Sequence, residues 1–151
     1  MTQYTILLTL FWCLSSSCPE GMYQGPPTTD LIFVRSKIYE VKPTIQQYKA
    51  DIISKLIVNN CDKNDWVDAV RIAWVESSFR FLNSFPDIGL MQLSSKWHPG
   101  VEEFDRNQRM AYACSLIKTA KQKGNLAYYH STESPFKEQY EKRLSEVLNN
   151  E

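Results

Sequence analysis

The chain has no excess of either charge: Lys plus Arg and Asp plus Glu number 17 each in 151 residues. Proteins that grip phosphate backbones usually carry a basic surplus. The balance therefore removes the main reason to expect a nucleic-acid partner. Histidine is scarce, with His98 and His130 far apart, and no two cysteines stand in C-x-x-C spacing. Both lacks argue against a zinc centre, so no metal and no other cofactor is expected. The apolar run from Ile6 to Leu14 is nine residues long, well short of the roughly 20 that a membrane-spanning helix needs. There is no internal repeat, no heptad seam and no long apolar stripe that would call for a dimer, so a monomer is expected.

What is present suits a single folded domain. Apolar residues make up 43% of the chain and aromatic residues 13%, enough to bury a core at this length. The short apolar run, followed by Ser15, Ser16 and Ser17, has the pattern of a secretory signal over residues 1–18, although no Lys or Arg precedes it. The competing reading is a buried N-terminal helix or strand. Residues 19–30 concentrate Pro, Gly and Thr as a linker does. Leu31, Phe33, Ile38 and Tyr39 fit either a short strand or an arm, which makes 19–43 a linker or N-terminal arm and 44–151 the folded domain. If the signal is removed, Cys61 and Cys114 remain, either as a disulfide joining two helices or as two separate buried thiols.

From Thr44 to Asn59 the apolar residues Ile45, Tyr48, Ile52 and Leu56 fall at steps of three and four, one face of a helix with Pro43 near its start. A second helix starts near Asn64 or Asp65 and runs to about Ser78, with Val67, Val70, Ala73 and Trp74 inward. Pro86, Gly89, Pro99 and Gly100 make residues 79–103 mostly loop and turn. A third helix spans about Asp105 to Lys123, with Met110, Ala113, Cys114, Ile117 and Ala120 inward and Gly124 as its stop. A short helical piece covers Leu126–Tyr129. A last helix, about Pro135 to Leu148, turns Phe136, Tyr140, Leu144 and Val147 to one side. The expected fold is mainly α, with about five helices in one domain and an irregular segment between the second and third.

Glu76 follows the apolar run Ile72, Ala73, Trp74 and Val75 near the end of the second helix. Apolar surroundings disfavour a charged carboxylate. A carboxyl that keeps its proton near neutrality is what acid catalysis on a glycosidic oxygen requires. The plainer reading is a surface glutamate in a helix's last turn.

The residues that follow narrow the choice. Glu76-Ser77-Ser78-Phe79 and then Asp87-Ile88-Gly89-Leu90-Met91-Gln92-Leu93 resemble the paired E-S-x-[FY] and G-L-M-Q-[IL] motifs of the lytic transglycosylases. These enzymes are the SLT-type members of the lysozyme-like superfamily. Asn125 to Ser131 is similar to the family's later segment, in which a Tyr is followed by Asn or His. The resemblance covers about residues 60–145 and is nearest to the small specialised members of secretion, conjugation and phage-injection machinery. It implies a lysozyme-like fold, peptidoglycan glycan strands as the partner, and a place that is exported, periplasmic, envelope-associated or virion-associated.

The implied activity is cleavage between N-acetylmuramic acid and N-acetylglucosamine. Glu76 would serve first as general acid and then as general base, leaving a 1,6-anhydro end. Tyr129 would sit over the cleft and hydrogen-bond near Glu76; Tyr128, one register step away, is the competing assignment or a plain core aromatic. Gly89 would let backbone approach the sugar. Met91 and Gln92 would line the cleft, although Met91 equally suits core filling. Ser77 either bonds Glu76 or caps the helix end. Asp87 is either a second carboxylate, which would permit hydrolysis, or a turn residue after Pro86. Three departures from the family pattern stand out: the gap from Glu76 to Gly89 is short, His130 replaces the commoner Asn (although His occurs there in related members), and Cys114 does not sit where a family cysteine is expected. A hydrolytic lysozyme and an inactive peptidoglycan-binding module are the alternatives.

Overall fold

A computed structural model describes residues 28–84, 87–130 and 135–147. The signal expected over 1–18 and the linker residues up to 27 lie outside the described residues. Within them the fold is mainly helical. Helix α1 spans Thr29–Val41, α2 Gln47–Asn60, α3 Trp66–Ser77, α4 Arg106–Gln122 and α5 Phe136–Ser145, with 3-10 turns at Lys63–Asp65, Val101–Glu103 and Leu126–Tyr129. Between α3 and α4 runs a small antiparallel sheet, β1 (Leu82–Ser84), β2 (Asp87–Gly89) and β3 (Leu93–Ser94), in that order. No described helix is long and apolar enough to cross a membrane.

Helix α3 is the hub. Its Ala69, Val70, Ile72 and Ala73 are fully buried, and α1, α2, α4 and α5 all pack on it. Two arginines fasten it to α5: Arg71 donates to the Leu144 carbonyl at 2.8 Å, and Arg143 donates to the Val75 carbonyl. The latter satisfies one of the carbonyls that every helix end leaves without an internal partner.

Three expectations change. Residues 31–43 form most of a helix and not a strand or arm: Val34 and Ile38, one turn apart, are fully buried. Phe33, one of the apolar residues behind the strand-or-arm reading, stays 43% exposed on this helix. Helix α2 starts at Gln47, after a turn at Pro43 and Thr44, and buries Ala50, Ile53, Ser54 and Ile57 beside Leu56. Tyr48 and Ile52, expected inward, face solvent, while α1 packs along the helix. Thirdly, the segment expected as loop holds the sheet. Strands of three and two residues are too short for apolar alternation to register.

Helix α4 matches its sequence. All five residues expected inward are buried, and Gly124 takes φ +83° just past its end. Asp105 accepts from the Gln108 backbone at 2.8 Å while the Gln108 side chain accepts from the Asp105 backbone, a reciprocal cap. Asp105→Ala is expected to cost about 1 kcal/mol, measurable as a shift of the urea midpoint. On α5, Tyr140 and Leu144, and Val147 just past its end, are buried, but Phe136 is exposed at the helix's first position.

Cys61, at the end of α2, and Cys114, within α4, are joined by a disulfide. Charges reinforce the same region: Lys121 on α4 reaches Asp65 at 2.7 Å and Asp68 at 3.0 Å at the start of α3.

Candidate functional site

Helix α3 ends abruptly just after Glu76. Ser78 and Phe79 both take left-handed backbone, with φ 52° and 60°, a conformation that costs non-glycine residues free energy. Phe79 is held there by burial, its ring centroid 5.3 Å from that of Trp74. Gln92 has φ 45°. These are the three non-glycine residues with positive φ among the described residues, and all lie in the two linked motifs. Such outliers persist only where surrounding packing enforces them, and they concentrate at functional sites.

Glu76 is in the last turn of α3 with its side chain only 12% exposed. Its Oε1 is buried and has no hydrogen-bond partner among the described residues. Around it stand Tyr129 from the third 3-10 turn, His130 just after it, and Tyr140 from α5. His130 Nδ1 lies 3.6 Å from Oε1. The Tyr140 phenol is pushed far above its ordinary pKa, first by burial and then by the neighbouring Glu76 carboxylate. Tyr129 is raised for the same reasons in the same order, burial before the Glu76 charge. Both phenols therefore stay protonated, as neutral donors facing a carboxyl.

The G-L-M-Q segment is organised by its own backbone. Gly89, with φ +81°, opens the turn from β2 into β3, a conformation suited to glycine. The Gln92 side-chain amide donates back to the Gly89 carbonyl. Tyr129 donates to the Met91 carbonyl at 3.0 Å and so pins this turn to the 3-10 segment that carries it. Tyr129, expected to hydrogen-bond near Glu76, makes its bond to Met91 and lies close enough to Glu76 to feel its charge. Tyr129→Phe leaves that carbonyl without its donor and is expected to cost about 1–2 kcal/mol, read as a lower denaturation midpoint.

No family model, curated protein or solved structure matches the chain.

The remaining expected site residues divide by where their side chains go. Ser77 is buried, donating to the Ala73 carbonyl at 3.0 Å and accepting from the Arg80 backbone at 3.2 Å; it finishes the helix and does not face a ligand. Met91 is a core residue. Gly89 and Met91, with Leu56, Phe81 and Arg109, line a cavity of about 100 Å³ against α4, and Glu76 is not on its wall. Tyr128 points away, between Lys137 and Lys123, whose ammonium groups lie 4.5 and 5.8 Å from its ring centre. Of the two neighbouring tyrosines, Tyr129 is the one that lies beside Glu76. Asp87 is exposed at the start of β2, opposite Ser84 and Ser94. It is a strand residue and not a turn residue, and no hydrogen bond or ion pair among the described residues joins it to Glu76.

Sequence reasoning missed Tyr140 and Arg143. Tyr140 was legible as an inward residue of the last helix, but periodicity along one helix carries no information about which distant residue it meets.

Proposed function

We propose that the protein cleaves the β-1,4 bond between N-acetylmuramic acid and N-acetylglucosamine in peptidoglycan, without water, as a lytic transglycosylase. The observation that carries this reading is the Glu76 carboxyl: largely buried at a strained helix end, one oxygen without a donor, with two tyrosines and a histidine around it. The motif resemblance supplies the substrate class.

In this reading Glu76 enters the reaction protonated and gives its proton to the glycosidic oxygen while the sugar–oxygen bond breaks. Positive charge then develops on the muramyl ring. The carboxylate left behind removes the proton of that ring's own 6-hydroxyl, whose oxygen closes on the anomeric carbon. Glu76 ends protonated, as it began, so a single carboxyl completes the cycle. The position of Asp87, exposed on β2 with no bond to Glu76, gives no support to a two-carboxylate hydrolysis.

Digestion of purified sacculi, read by mass spectrometry, tests the proposal. Anhydro-muramyl ends are expected. Reducing ends would move the reading to a hydrolytic lysozyme. Binding to sacculi with nothing released would leave a peptidoglycan-binding module, and neither binding nor release would end the proposal.

A further inference from the structure

His130 stands in a particular relation to Glu76 that the proposed reaction does not by itself require. Its ring lies flat on Tyr140, with centroids 4.7 Å apart and planes 4° apart. Tyr140 is itself buried on α5, so the stack fixes the plane in which the imidazole sits. Within that plane Nδ1 is the atom turned to Glu76 Oε1, 3.6 Å away. Oε1 is the buried carboxyl oxygen without a partner. Catalytic hydrogen bonds are often long before substrate binds and tighten in the complex; a contraction of a few tenths of an ångström brings this pair into range.

The other polar groups at the site are less free to serve. The Tyr129 hydroxyl is committed to the Met91 carbonyl and the Arg143 guanidinium to the Val75 carbonyl. The Tyr140 hydroxyl is buried beside Glu76 and has no other hydrogen-bond partner among the described residues, but its ring is packed into the core and cannot follow the carboxyl as it changes protonation. His130, with its side chain 46% exposed, can adjust its approach as the carboxyl changes protonation.

We propose that His130 is the positioning residue of Glu76. Its Nδ1–H donates to Oε1, which leaves Oε2 as the oxygen that exchanges the proton with the glycosidic oxygen and the 6-hydroxyl. The catalytic consequence rests on the transglycosylase reading; the pairing does not. A histidine whose Nδ1 donates to a carboxylate is held in the Nδ1–H tautomer.

Nitrogen-15 spectroscopy of labelled histidine, at a pH where the ring is neutral, reads that tautomer directly, and the chain has only two histidines. Wild type is expected to show His130 as Nδ1–H, and Glu76→Ala to return it to Nε2–H. On soluble glycan fragments, His130→Phe keeps a flat ring on Tyr140 but has no donor. Its kcat is expected to fall about tenfold or more, with KM within about twofold. His130→Asn, which places an N–H near the same spot, is expected to recover most of the loss. The same tautomer in wild type and Glu76→Ala, or full kcat in His130→Phe, would overturn the assignment. If wild type cuts no glycan while the tautomer still follows Glu76, the pairing stands and the transglycosylase reading falls.

Discussion

Glu76→Gln is expected to lower muropeptide release about a thousandfold, with no loss of folding stability. The amide matches the carboxyl in shape but has no proton to give and cannot accept one from the 6-hydroxyl, so both half-steps fail together. The fold should tolerate the change because the amide keeps one carbonyl oxygen that can accept from the neighbouring donors. Release is measured by mass spectrometry of digested sacculi, and stability by the urea midpoint of the same preparation. Release within tenfold of wild type would remove Glu76 from the chemistry, whatever the products.

Replacing both Cys61 and Cys114 with Ser is expected to be the most destabilising change among those considered. The bridge spans 53 residues, and closing a loop of that length restricts the unfolded chain by about 4 kcal/mol in the loop-entropy account. Measured losses usually fall somewhat short, so about 2–4 kcal/mol is expected, or a fall in Tm of about 10 °C. The loop contains all of α3 and the sheet, so Glu76 and the G-L-M-Q turn sit inside the region the bridge constrains. Reductant should reproduce the loss in wild type and leave the double variant unchanged. A shift below about 0.5 kcal/mol would show that the bridge adds little constraint.

The parts of this molecule legible from sequence are those determined locally. Helix α4 carries its cap, its inward stripe and its terminating glycine within one short stretch, and sequence reasoning needs nothing else. Glu76 at the end of α3 was legible for the same reason, since an apolar run and a turn-forming pair bracket it. Helix α1 and the inward face of α2 were not. The buried face of α2 includes the small residues Ala50 and Ser54, which weigh little in a hydrophobic pattern. The site divides the same way. Tyr129 was legible because it lies in a motif, whereas Tyr140 reaches Glu76, and Arg143 the neighbouring Val75 carbonyl, from a helix far along the chain. The motif residues Ser77, Met91 and Gln92 are satisfied by their own backbone or by the core. A pattern of residue types marks where they belong without distinguishing scaffold from contact.

The contribution of α5 has a practical meaning for anyone transplanting this site. Its Tyr140 forms the wall behind the carboxyl, and its Arg143 closes the end of the helix that presents it. A fragment running from Glu76 through His130 would hold every signature residue and still lack the surface against which these two side chains are set. A graft into another scaffold must therefore carry a substitute for that last helix.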